Sequence, residues 1–292
     1  MDKLIIEARV NEYADRKHNP HVPWSPEEIA ETAAQCRDAG ASVVHFHARD
    51  SGGGADHGAD TNGAIIRRIR ASTDLLVHPT LGAFTHDGDA GARIAPLLAL
   101  AEDPATRPDL APLDMGSTNI DAYDPRQHRF ISTEGVYLNS TATLLHFAGE
   151  LRRVGVKPYA VCWNLSFTRQ LLAFLDMGAI DEPLYLCFVL TGDTLPAGHP
   201  PTRAGLEAHL ACLPPDRDIH WTLCCHGGDL LALAPHVIAA GGHLSIGLGD
   251  WPYTEYNTPT NAGLVGRVAD MARRLGRELA TPQEASALLG IA

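Results

Sequence analysis

The sequence predicts an α/β protein built as a single (β/α)₈ barrel. Three observations lead there. Strand-like apolar runs alternate with helical segments eight times, and the runs are mostly continuous rather than alternating, as in strands covered on both faces. No linker or shift in composition divides the 292 residues, so 1–292 reads as one domain. Eight such units in this length suit a closed barrel better than an open doubly wound sheet.

The elements follow in order. LIIEARV (4–10) is the first strand. The first helix, 25–40, opens with Ser25 and Glu28 at capping-box spacing and Pro26 at its first position, and stops at Gly40. ASVVHFHA (41–48) is rich in β-branched and aromatic residues, and apolar side chains recur at helical spacing over 62–72. The strand 74–80 ends at a proline, and 90–101 reads as helix despite Pro96. Strands 110–117, 157–165, 184–192, 218–225 and 243–250 then alternate with helices 140–155, 169–178, 202–213, 228–242 and 261–276. An extra capped helix, 281–290, ends the pattern. The longest irregular stretches, 11–24, 50–61, 117–139 and 249–260, all follow strands. They therefore belong to the face where barrel enzymes place their sites.

Composition narrows the function. A net charge of −12 excludes the dense cationic face that a nucleic acid or an anionic membrane requires. No segment reaches the roughly 18–20 apolar residues of a membrane helix, and MDKLIIEARV has too short an apolar stretch for a signal peptide. Six cysteines without framework spacing read as reduced core thiols, so the expected location is cytoplasmic.

The chemistry is concentrated in VVHFHARD. Residues i and i+2 of a strand share a face about 6.5–7 Å apart, which places His45, His47 and Arg49 together. Three polar side chains in a row belong at the open end of the barrel axis, and two imidazoles so placed can grip one divalent cation, zinc above all. Hydrogen-bonded core histidines are the plainer alternative. Glu12, His78, Thr80, Ser117, His226 and Asp250 lie at or beyond other strand ends. His226 and Asp250, on neighbouring strands, should be close. His18, His21, His57, His128 and His199 read as surface residues.

VVHFHARD, LLVHPTLG, MGS, GGHLSIGLGD and the terminal GRELATPQEASALLGI resemble the β-keto acid cleavage enzymes over the whole chain, including NPHVPWSPEEIAETAAQCRDAG near the start. The resemblance implies a zinc-dependent barrel, commonly a homotetramer, that exchanges acyl groups between a β-keto acid and acetyl-CoA. In such a reaction a base removes the α-proton and the enolate attacks the acetyl thioester. CoA is then transferred, and a retro-Claisen step releases acetoacetate. By position, His45 and His47 match the family's histidine ligands and Asp250 its catalytic aspartate. Glu12 and Thr80 are expected as further catalytic groups, and Arg49 and Ser117 as substrate contacts.

The chain also departs from the family pattern. Ser245 stands for the family's arginine, Gly249 for its glutamate ligand, Tyr159 for an acidic residue after K-P, and Pro112 for a Ser or Thr. Glycine has no side chain to ligate with, so either the metal is lost or another group supplies the ligand: His226 first, then Glu12 or His78. Two other readings remain open on these residues: a metal-dependent hydrolase of the barrel type using His226 and Asp250, and a non-catalytic ligand-binding relative.

Overall fold

The computed structural model describes residues 2–82 and 89–291. Eight parallel strands form the barrel: β1 (Ile6–Arg9), β2 (Val43–Phe46), β3 (Leu76–Pro79), β4 (Leu110–Asp114), β5 (Lys157–Cys162), β6 (Leu184–Thr191), β7 (Ile219–His226) and β8 (His243–Ile246). Their order in the sheet is β3-β2-β1-β8-β7-β6-β5-β4. The ring closes between β3 and β4 through one residue rather than a ladder. The Asp109 amide donates to the Val77 carbonyl at 3.0 Å, and its carboxylate accepts from the Val77 amide at 2.7 Å. The eight-strand (β/α)₈, or TIM, barrel is therefore as predicted.

Eight helices surround the strands: α1 (Pro26–Ala39), α2 (Ala59–Ser72), α3 (Ala90–Ala101), α4 (Thr141–Val154), α5 (Leu165–Asp176), α6 (Arg203–Leu210), α7 (Ala234–Ala239) and α8 (Asn261–Arg274). The capping box of Ser25 and Glu28 and the left-handed Gly40 stop both form, and Pro96 lies inside α3. Local chemistry moves some boundaries. Asn164 accepts from the amides of Ser166 and Phe167, so α5 begins where the fifth strand was expected to continue. The segment 228–242 divides into a 3₁₀ turn, Leu230–Ala232, and the short α7. The stretch 117–139 is not irregular throughout: Thr118–Asn119 pairs with Val136–Tyr137, and Tyr123–Asp124 with Arg129–Phe130.

The apolar residues separate into two layers. One face of each strand packs against the helices; Ile6, Ala8, Val44, Phe46 and Val77 belong to that layer. The other face fills the barrel with Ile5, Val43, Leu76, Leu110, Tyr159 and Tyr185. The last helix, α9 (Pro282–Leu288), contributes Ala285 to this inner cluster, and Leu289 just beyond it joins too. It plugs the amino-terminal end of the ring and leaves the carboxyl-terminal end open for chemistry. No helix of the described residues is long and apolar enough to cross a membrane, and the six cysteines are unpaired.

Candidate active site

Register assembles the site. Glu7 pairs with Val43, Arg9 with His45, and His45 with His78, so Arg9, His45 and His78 form one level across three adjacent strands. Glu12 lies on the turn that follows, with a φ of 37°. Its carboxylate meets His45 Nε2 at 2.9 Å, His47 Nε2 at 2.7 Å and the Arg9 guanidinium at 2.7 Å. The same guanidinium reaches Asp250 through Nε at 2.7 Å. All five side chains face the open end of the barrel and line a cavity of about 410 Å³.

Burial alone would raise the Glu12 carboxyl. Arg9, His47 and His45 outweigh it and hold the group well below the usual carboxylate range. Burial lowers His47 despite the neighbouring Glu12, which favours the neutral imidazole that a metal needs. His45 Nδ1 lies 2.8 Å from the His78 carbonyl oxygen, which can only accept, so that nitrogen carries a proton. In the neutral ring, Nε2 then aims its lone pair at the Glu12 oxygen. Two electron-rich atoms this close require a cation or a proton between them. The donor atoms of Glu12, His45 and His47 lie within 4.8 Å of one another. Two imidazoles and a carboxylate are a ligand set of catalytic zinc. The residues fit a divalent metal.

Beneath this level lies a buried carboxylate. Glu7 accepts from the hydroxyls of Tyr159 at 2.8 Å and Ser245 at 2.5 Å, and from His78 Nδ1 at 2.6 Å. Burial works against its charge, but the His78 hydrogen bond and the neighbouring positive field bring it down from the ordinary 4.5 to about 2. Burial lowers His78 to about 4, so a neutral imidazole donates to an ionised carboxylate. A depressed folded pKa contributes stability above the unfolded value that is lost as pH falls through the folded one. For Glu7 that window runs from 4.5 down to about 2. A shift of this size is worth about 3 kcal/mol. Glu7→Gln should therefore flatten the acid limb of stability in that window, read by urea denaturation across the pH series. A limb as steep as the parent's would refute the assignment.

The predicted residues divide into those the cavity gathers and those it leaves aside. His45, His47, Glu12, Thr80, His226 and Asp250 line it. His226 lies outside the donor set around Glu12. Its Nδ1 faces Asp250 at 3.4 Å and its side chain is 44% exposed. Burial opposes its charged form, but Asp250 raises its pKa overall. Arg49 is not a cavity residue. Strand β2 ends at Phe46, and the Arg49 guanidinium donates to the carbonyls of Gly53, Asn11, Glu12 and Ala14, so it fixes the Glu12 turn. Ser117 is exposed and its hydroxyl accepts from the Asn139 amide at 2.8 Å, outside the cavity. Among the other histidines, His18, His21 and His128 are exposed, whereas His57 and His199 are partly buried.

Two site residues were missed in the sequence, Arg9 and Glu7. The fixed cation expected at position 245 is supplied by Arg9 from the strand beside it, and Ser245 binds Glu7 instead. Gly249 has an equally direct explanation. A Cβ there would lie 2.4 Å from Glu12 Cγ, so Glu12 occupies the space that a side chain at 249 would need. Glu7 and Arg9 stand at i and i+2 in an otherwise apolar strand, the same signal that marks His45 and His47.

The chain is similar to known proteins. A sequence model of a family described as beta-keto acid cleavage enzyme matches residues 3–291. The chain is 28% identical to the 3-keto-5-aminohexanoate cleavage enzyme of Acetoanaerobium sticklandii, over 100% of this chain and 99% of that protein. It is 29% identical to the 3-oxoadipate:acetyl-CoA acetyltransferase of Cupriavidus necator, over 94% and 90% of the two chains. Among solved structures, ObcA in complex with oxaloacetate superposes with a TM-score of 0.72 at 16% identity, which speaks for the fold alone. That match takes in 94% of this chain and 68% of ObcA.

Proposed function

This chain belongs to the β-keto acid cleavage enzyme family, and from that premise we propose that it exchanges acyl groups between a β-keto acid and acetyl-CoA, giving acetoacetate and a new acyl-CoA. The observation that carries the proposal is the Glu12 carboxylate held between two imidazoles and joined through Arg9 to Asp250. Glu12, His45 and His47 would hold a divalent cation, zinc by the nature of the donors, and a cation there would stabilise negative charge on the keto acid.

The chain's own residues supply the rest. Asp250 takes the α-proton, with Arg9 fixing its orientation. His226, with its imidazole against the other Asp250 oxygen, is placed to receive that proton. Thr80, on the cavity wall, can donate a hydrogen bond to the carboxylate or keto oxygen of the substrate. The carbanion equivalent then attacks the acetyl thioester and the CoA thiolate leaves. That thiolate adds to the original keto carbon, and cleavage of the carbon–carbon bond leaves the new acyl-CoA and an acetoacetate enolate, which takes back the proton held by His226 to give acetoacetate.

A cytoplasmic location and self-association as a homotetramer belong to the same proposal. The unpaired cysteines support the first, and the exposed Phe130, Ile131, Val136 and Leu138 offer apolar surface for the second. The test is metal-loaded protein, acetyl-CoA and a panel of β-keto acids, with acetoacetate and the new CoA ester followed together and mass in solution measured by light scattering. Asp250→Asn should lower turnover by about a thousandfold while metal is retained. Release of acid without any CoA ester would return the reading to hydrolysis.

A further inference from the structure

The cavity is divided by strand. Its wall on β7, β8, β1, β2 and β3 carries the charged groups described above, whereas β4, β5 and β6 present Pro112, Val161 and Val189, with the Tyr159 hydroxyl spent on Glu7 and Thr194 just beyond β6. Ile120, Trp163 and Leu195 extend this second wall towards the mouth. The lone charged side chain there among the described residues is Asp114, and it is already engaged. Its Oδ1 accepts from Trp163 Nε1 at 2.8 Å and its Oδ2 from the Tyr137 hydroxyl at 2.5 Å. A substrate whose carboxylate and keto oxygen face Glu12, His45 and His47 must lay its remaining substituent against the β4–β6 wall. A charged substituent would lose its hydration there; an anion would find no counter-ion, and a cation would find only Asp114, whose two oxygens are already committed to Trp163 and Tyr137. An apolar one would lose only unfavourable contact with water.

We propose that the substituent carried by the keto carbon, the part that leaves as acyl-CoA, is an uncharged aliphatic or aryl group. This rests on the acyl-exchange reading and adds the substrate class to it. It also sets this chain apart from relatives whose names specify an amino or a dicarboxylic substrate.

The experiment uses matched acids with the full-length, metal-loaded protein and acetyl-CoA. In 6-methyl-3-oxoheptanoate, an isopropyl group replaces the distal carboxylate of 3-oxoadipate at nearly equal size. In 3-oxoheptanoate, a methyl group replaces the ammonium of 6-amino-3-oxohexanoate. In each pair kcat/KM should favour the apolar member by about a hundredfold or more. The isosteric Val161→Thr should cut that preference several-fold while metal content stays unchanged. Equal or better use of either charged acid overturns the inference and leaves the acyl-exchange reading intact. If no acid gives a CoA ester, the reaction reading fails instead, and calorimetric binding of the same pairs decides the tail preference. Tighter binding of the apolar acids then sustains it, and equal or tighter binding of the charged acids ends it.

Discussion

Replacing Glu12 with glutamine is expected to abolish stoichiometric divalent-metal binding and to lower kcat/KM by about a thousandfold or more, with the barrel still folded. The amide keeps the shape of the side chain but brings no charge to His45 Nε2 and His47 Nε2, which lie 2.9 Å and 2.7 Å from the present carboxylate. Arg9 would lose one of its two anions and keep Asp250. Elemental analysis after dialysis, beside a circular dichroism spectrum, reads both halves of the expectation. Full zinc content in the variant would take the ligand role away from Glu12 and return it to His226.

The second large effect concerns Gly249. A Cβ built there meets Glu12 Cγ at 2.4 Å and the Glu12 amide nitrogen at 2.8 Å, so Gly249→Glu forces two side chains into one volume. It should lose metal and activity as completely as Glu12→Gln. The paired exchange, Glu12→Gly with Gly249→Glu, should regain metal binding to at least tenfold above either single variant. Position 12 has a φ of 37°, which glycine adopts without strain, and a glutamate at 249 would enter the space that Glu12 now fills. The remaining approach to the amide of residue 12 asks for a small shift in a turn. Independent, additive losses in the double variant would show that the two positions do not share one role.

The sequence makes some of this site legible and conceals the rest for identifiable reasons. His45 and His47 could be found because strand periodicity is local: two residues apart means one face, whatever the rest of the chain does. Arg49 was misplaced by carrying that periodicity past Phe46, where the strand ends and the guanidinium turns to the carbonyls of Asn11, Glu12 and Ala14. Arg9 and Glu7 carried the same i, i+2 signal, but inside LIIEARV they read as the edge of an ordinary strand. Their meaning depends on Asp250, His78, Tyr159 and Ser245, which register alone brings near. Glu12 was recognised as a site residue, but its place between the imidazoles depends on a turn with positive φ that no periodicity encodes. The ranking of His226 before Glu12 as metal ligand rests on adjacency of strands, which says nothing about where a loop sends its side chain.

Glu7, Arg9 and Glu12 place the ionic framework of the site at the beginning of the chain, while one of its partners, Ser245, follows Glu7 by 238 residues. A growing or partly refolded polypeptide can pair Glu12 with Arg9 and the two imidazoles of β2, and Glu7 with His78, but Arg9 lacks Asp250 and Glu7 lacks Ser245 until the final strand docks. Sealing that network away from water before it is complete would leave its charge only partly compensated, which is costly. Completion of the ring and assembly of the reactive centre are consequently one event. Heat or denaturant should extinguish turnover in step with the loss of tertiary structure, leaving no interval in which an intact shell encloses a dismantled centre.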